Sequence, residues 1–367
     1  MNIFDALNIF YKEDTISDFL INCFKDSDDF LIHFLEKAQI HLENNTIFHI
    51  YTRVGLGKSI GTPDIVIRAS SDKSTKLIIV ENKMGSAEGD EQTNRYESPE
   101  ARKRMIKRFD LNAEKTDFHF IFLALDTTTR PTNSKFSFLN YQVFLEGIWN
   151  LKETTLKFIF MNFQEKLRDF YIPVRNPYSS LEGAIIMDRM QRKICWQNIL
   201  YETISPIEDL ELSWGEYGGS GRNNFLFLIR KKNWTSDSSF QYAGLFKTFN
   251  VHIDIYVNML DNKNKGINEI GIRFETFPYK PHNNIHKLPG YDAFMENKKI
   301  FSEKLFAKVE QNNIPAKIKN TKLLVMSISI GGEGVREKVQ NIKKQVQAVK
   351  ECIDEVIEEM KSKALLQ

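Results

Sequence analysis

The chain has 367 residues, enough for two domains. Charged residues make up 27% of it and nearly cancel, at net +2, so no overall field selects nucleic acid and any basic surface must be local. Cys23, Cys195 and Cys352 lie too far apart for a disulfide framework or a cysteine metal knuckle. The N-terminus is not leader-like, and no apolar run approaches the ~20 residues of a bilayer span, so a soluble cytoplasmic protein with no membrane partner is expected.

In chain order, Ile16, Phe19, Leu20, Cys23 and Phe24, then Leu31, Phe34 and Leu35, recur at three- and four-residue spacing, which predicts a helix over 14–42. Residues 46–53, 62–69 and 76–83 read as strands, the last two joined by a polar turn. A charged helix interrupted at Pro99 is predicted for 88–109, a strand for 117–125, a loop for 126–135, a short strand for 141–144 and an amphipathic helix for 156–171. Two prolines in 172–180 mark the expected boundary between domains 1–178 and 179–367. The second half reads as a helix over 182–204, strands at 209–215, 224–231, 249–257 and 268–275, a helix at 301–312 and a strand at 322–330. Gly331, Gly332 and Gly334 then lead into a long final helix.

The chemistry concentrates in the hairpin of 62–83. If its turn is centred between Asp72 and Lys73, Ser70 faces Thr75, Val66 faces Ile79 and Asp64 faces Glu81. Side chains alternate along a strand, so Glu81 and Lys83 share a face and Asp64 joins them across the ladder. Two ionised carboxylates that close repel by on the order of 3 kcal/mol at an effective dielectric of ~20. A divalent cation relieves that repulsion, and so does a shared proton. With a lysine beside them, two hard oxygen ligands suit Mg²⁺ or Mn²⁺ and phosphodiester hydrolysis. The Asn82 side chain points to the other face, but its backbone carbonyl is placed to complete a metal site. The competing reading is a surface hairpin with scattered charges.

Pro63-Asp64 followed by Glu81-Asn82-Lys83 resembles the PD-(D/E)XK nuclease superfamily, and Gln92-Thr93-Asn94-Arg95-Tyr96 resembles the Q-x-x-x-Y element of its RecB-like members. The wording around both motifs is similar to an uncharacterised bacterial branch. The likeness covers roughly residues 10–145 and implies a restriction-endonuclease-like α/β core, a mixed central sheet flanked by helices. It implies Asp64, Glu81 and Lys83 as catalytic residues. Glu13, Asp64, Glu81 and Asn82 would hold Mg²⁺ or Mn²⁺, with Asp14 and Asp18 as alternatives to Glu13. Gln92 and Tyr96 would hold the substrate. It also implies an active enzyme on nucleic acid, with DNA as substrate and a setting in bacterial defence. The alternative is a non-catalytic nucleic-acid-binding or assembly module on the same fold.

Other motifs promise less. Gly57-Lys58-Ser59 invites a phosphate-loop reading, but the position five before Gly57 is Thr52 and a strand follows. Lys58 is instead a candidate phosphate contact on a loop beside the site, and Arg53 is a similar one. His282 and His286 sit in an expected loop without zinc-ligand spacing, and His119 reads as structural. Residues 214–222 read as a glycine-rich turn between strands. Val335, Val339, Ile342, Val346, Val349, Ile353, Val356 and Met360 form a heptad seam. It predicts either a homodimer through the C-terminal helix or a helix laid along the sheet of an α+β accessory domain.

Overall fold

A computed structural model describes residues 2–216, 224–259, 267–319 and 324–366. The chain divides into two compact units, Met1–Ile172 and Pro173–Gln367. No helix among the described residues is long and apolar enough to cross a membrane.

The first unit opens with α1 (Ile3–Ala6), α2 (Glu13–Asp26) and α3 (Asp28–Lys37). The single helix expected over 14–42 is therefore two. Ser27 is extended, and its hydroxyl accepts from the Phe30 N–H, so it caps α3 and breaks the run. Strands β1 (Ile47–Thr52), β2 (Ile65–Ser70) and β3 (Thr75–Lys83) form an antiparallel meander. α4 (Gln92–Glu97) and α5 (Pro99–Phe109) follow, with Pro99 at the first helical position, where no N–H is needed. β4 (Thr116–Ala124) and β5 (Phe136–Asn140) add in parallel, giving the order β1-β2-β3-β4-β5.

The strand expected at 141–144 is a 3₁₀ turn, because the Asn140 side chain accepts from the Gln142 N–H and turns the chain. α6 (Thr154–Arg175) completes the layer. Val66, Leu77, Ile79, Phe120 and Phe122 pack with Met105 and Phe109 of α5. Their neighbours Ile67, Ile78, Val80, Ile121 and Leu123 are fully buried on the other face. There α2, α3 and α6 contribute an aromatic cluster in which Phe30 lies 5.0 Å from Phe160, and Phe19 lies 5.2 Å from Phe163.

The prolines expected to mark a linker lie in helical backbone. Pro173 is inside α6, α7 spans Pro177–Ser179, and a π turn covers Ser180–Ala184. α8 (Arg189–Ile204) then starts on a capping box of Asp188 and Gln191. The second sheet contains β6 (Glu211–Glu216), β7 (Asn224–Arg230), β8 (Asn250–Asn258), β9 (Glu269–Glu275), β10 (Ala316–Ile318) and β11 (Met326–Ser329). It is antiparallel throughout, in the order β10-β11-β9-β8-β7-β6. β10 escaped the sequence reading because it is three residues long and half solvated. The glycine-rich turn expected at 214–222 falls largely outside the described residues, as does the start of the strand expected at 322–330.

The remaining helices are α9 (Phe240–Ala243), α10 (His282–Ile285), α11 (Tyr291–Gln311) and α12 (Val335–Ser362). α11 begins ten residues before its expected start at 301, because Glu296-Asn297-Lys298-Lys299 interrupts its apolar stripe. His282 and His286 are on and beside the helical turn α10 rather than in a loop, and the Tyr291 hydroxyl pairs with His282.

The heptad seam of α12 is buried from Val335 to Met360 within this one chain. α12 packs on α8 and α11, with Lys304–Glu359 and Lys308–Glu355 ion pairs along its flank. The seam is filled intramolecularly, so the expected coiled-coil dimer has no free surface on it. The face of the second sheet opposite Ile253, Ile255 and Ile272 carries a buried polar quartet of His252, Asp254, Arg273 and Glu275.

Candidate active site

The β2–β3 register puts Ser70 opposite Thr75, Val66 opposite Ile79 and Ile65 opposite Val80, as the turn geometry predicts. One further step sets Asp64 against Glu81, and the next would set Pro63 against Asn82. Proline has no N–H, so the ladder stops there. The Asn82 N–H donates instead to the Asp64 carboxylate, Oδ2 at 2.7 Å. The Asn82 carbonyl, on the same side of β3, has no ladder donor facing it. A single proline thus turns a strand end into a site with one carboxylate anchored and one carbonyl left over.

Glu81 and Lys83 lie on the α5 side of β3, and Asn82 on the other. Glu81 is 1% exposed and Lys83 is 7% exposed, and they are joined at 2.6 Å between Oε1 and Nζ. The second Glu81 oxygen, Oε2, is buried without a hydrogen-bond partner. Burial pushes the Glu81 carboxyl up to about 8, with Asp64 adding to it and Lys83 working against it. Burial also raises Asp64, to about 6, against the stabilising Asn82 N–H and Lys83. Burial opposes the Lys83 ammonium, but Glu81, Glu13 and Asp64 outweigh it and hold the lysine above its ordinary value.

Glu13 is the first residue of α2. Its Oε1 accepts from the Met84 N–H at 2.9 Å and the Ser86 hydroxyl at 2.5 Å, which draws it to the end of β3. The Asn82 side chain is fully buried: Nδ2 donates to Ser17 Oγ at 3.0 Å and to the Glu13 carbonyl at 3.3 Å, and Oδ1 accepts from the Tyr141 hydroxyl at 2.6 Å. Ser17, Tyr141 and Ser86 were missed by sequence reasoning. Only Ser17 left a signal, as a hydroxyl on the inner stripe of α2 one turn after Glu13.

Gln92 and Tyr96 do share a face of α4, and Gln92 Nε2 donates to the Tyr96 hydroxyl at 3.0 Å. Tyr96 is buried, and its hydroxyl is pushed up by burial and by the negative charge of Glu81 and Asp64, against the hydrogen bond with Gln92. Its ring packs on Gly61, whose φ of +112° disfavours any side chain and where a Cβ would lie 3.3 Å from the ring. Lys58 is exposed on the tight turn closed by Ile60 N–H to Gly57 carbonyl, with no ion pair or hydrogen bond to Asp64 or Glu81. Arg53 is taken up by Asp18 at 2.8 Å and Asp14 at 3.9 Å.

Among the described residues no three His, Cys, Asp or Glu side chains converge into a metal cage. A magnesium site does not need one, since that ion commonly binds through one or two carboxylates and keeps several waters. The unpaired Glu81 Oε2, the raised Asp64 and Glu81 pair and the Asn82 carbonyl fit a hard divalent cation.

No curated protein matches the chain, and no solved structure does. A family profile described as the PD-(D/E)XK nuclease superfamily matches residues 1–205, more than half of the 367. With the mixed sheet, the Pro63-Asp64 step and the Glu81-Asn82-Lys83 strand end already in place, the chain belongs to the PD-(D/E)XK nuclease superfamily.

Proposed function

We propose that this chain is a divalent-metal-dependent nuclease that hydrolyses phosphodiester bonds in DNA. One observation carries the reading: a buried carboxylate oxygen, Glu81 Oε2, has no hydrogen-bond partner among the described residues, and the Asp64 carboxylate raises the cost of the Glu81 charge further. An unsatisfied buried charge of this kind costs several kcal/mol in a scaffold, and a ligand removes that cost.

Asp64, Glu81 and the Asn82 carbonyl would hold Mg²⁺ or Mn²⁺, with Glu13 contributing through a water. The bound ion would supply Lewis acidity toward the phosphate and a more acidic water. Lys83 keeps its proton at Nζ, because three carboxylates favour its charged form. It orients the attacking water or offsets charge growing on the phosphate oxygens. Gln92 and the Tyr96 hydroxyl hold the substrate beside the carboxylates, and Lys58 contacts a flanking phosphate.

The test is cleavage of plasmid, linear and single-stranded DNA and of RNA, with Mg²⁺, Mn²⁺ or EDTA, comparing wild type with Lys83→Ala. Metal-dependent cutting of DNA that the variant loses is the expected result. Equal inertness of both proteins on every substrate would overturn the catalytic reading in favour of a binding module.

A further inference from the structure

The first sheet ends at β1, and this edge carries none of the usual protection. Edge strands are commonly blunted by lysine, proline or a bulge. β1 reads Ile-Phe-His-Ile-Tyr-Thr, pairs with β2 in unbroken register and holds no proline and no lysine.

Its hydrogen-bonding sense is fixed by its neighbour. The Arg53 N–H bonds to the Asp64 carbonyl, so 53 and 64 are a hydrogen-bonded pair, and in alternation so are 51 with 66, 49 with 68 and 47 with 70. The N–H and C=O groups of Phe48, Ile50 and Thr52 therefore point away from the sheet. Among the described residues no hydrogen bond uses them.

A second observation selects the occupant. Ile47, at one end of β1, is 64% exposed. A cleft of about 790 Å³ lies at the other end, beside Ile50, Tyr51 and Thr52; Tyr51, Val54 and Phe109 give it apolar surface, and Arg108 and Asp110 complete its wall. Ile47 and Tyr51 point to the same face, because they are four apart in a strand. One strand thus carries both an unpartnered apolar side chain and a hole for one, at opposite ends. An antiparallel copy of the same strand brings each end to the other, which is the signature of an isologous interface.

We infer that β1 pairs with β1 of a second copy of this chain, antiparallel about a two-fold axis at Ile50. Phe48 then pairs with Thr52 of the second copy, and Ile50 with its own counterpart. Each such pair exchanges two main-chain hydrogen bonds, and the two short sheets become one. His49 lies opposite the second copy's Tyr51, and Ile47 reaches the second copy's cleft. No like charges oppose each other along the strand, because residues 47–52 contain no Asp, Glu, Lys or Arg. The inference rests on strand geometry and is independent of the nuclease reading.

The experiment is sedimentation velocity on the full chain, with wild type, Ile50→Lys, Ile50→Glu and an equimolar mixture of the two variants. Ile50 is half-buried at the edge, and folding of each variant is checked by circular dichroism. Wild type is expected at twice the 42.8 kDa chain mass. Each variant alone is expected as a monomer, since identical charges would meet at the axis, and the mixture is expected to recover the dimer through a Lys–Glu pair. A wild type that stays monomeric overturns the inference and leaves the edge to an extended segment of another protein. A folded Ile50→Lys that remains dimeric overturns it as well.

Discussion

Two buried charged clusters, one in each unit, are built from similar residues and end in opposite electrostatic states. The quartet of the second sheet, with the Tyr256 hydroxyl on Asp254 and Arg273, balances its charges among its own members. His252 Nδ1 lies 2.6 Å from Asp254, its Nε2 lies 3.3 Å from Glu275, and Arg273 lies 2.5 Å from Asp254 and 3.0 Å from Glu275. Burial disfavours every charge there, yet the partners prevail: His252 and Arg273 are raised and Glu275 is lowered. At the β3 end, Lys83 faces Glu13, Asp64 and Glu81, both Asp64 and Glu81 are raised, and one oxygen has no partner. Burial of charge alone therefore does not mark a function. Unbalanced burial does, because a scaffold has no reason to retain it.

The comparison can be broken by substitutions on either side. The largest expected effect is Arg273→Met, which leaves two buried carboxylates with His252 as their cation in the quartet and the Tyr256 hydroxyl on Asp254, and should cost about 3–5 kcal/mol in urea or thermal unfolding. An unchanged midpoint would mean that the quartet is not what holds that sheet. Next is Glu81→Gln, expected to lower metal-dependent cutting by roughly 10²–10³-fold. The same change should leave the metal-free protein as stable as wild type or more so, by about 2–4 °C in Tm. A large loss of stability in that variant would show Glu81 to be a structural charge like Glu275.

Asn82→Ala tests the link between fold and site at an intermediate magnitude. It empties the bonds to Ser17 and Tyr141, and should cost about 1–3 kcal/mol in stability. Cutting should fall while metal binding, read as the Tm shift on adding Mn²⁺, survives.

The smallest effect is a pH slope. His252 is held above its ordinary value of 6.5, so the folded state binds the extra proton and stability falls as pH rises from 6.5 through the raised value. Lys298, pushed down to about 8 by burial, has the opposite slope above that pH. Glu81, pushed up to about 8, adds a decline of the same sign as that of His252 below that pH. Melting between pH 6.5 and 8 should therefore show the decline, and His252→Gln should reduce it without abolishing it.

How much of this is legible in the sequence differs between the two clusters. The hairpin register follows from a short polar turn and strict alternation, so the sequence alone brings Asp64, Glu81 and Lys83 together. Gln92 and Tyr96 are legible through the likeness to the Q-x-x-x-Y element, and helical spacing adds that they share a face. What holds these residues is not legible, since Tyr141 and Ser86 reach the site through tertiary packing with no fixed spacing. The break at Ser27 was readable as Ser-Asp-Asp, an N-cap with an acidic first turn, but the apolar period continues through it and hides it. The quartet left a weak signal, His252 and Asp254 two apart and Arg273 and Glu275 two apart on apolar strands. The heptad seam of α12 was legible as a surface seeking a helix. A period of seven does not state whether that helix belongs to the same chain, and here α8 and α11 supply it.

The missing N–H at Pro63 has a consequence for how the hairpin tolerates insertion and deletion. The turn at 71–74 lies beyond the last paired residues, Ser70 and Thr75, so its length is free. The strand from Thr75 to Glu81 has no such freedom. One residue added there would exchange the positions of Glu81 and Asn82 between the two faces, sending a carboxylate toward Ser17 and an amide toward Tyr96. The spacing between the aspartate and the glutamate is thus elastic through its loop and locked in its parity through its strands. A length-altered variant can keep Asp64, Glu81 and Lys83 and still lose the proposed activity.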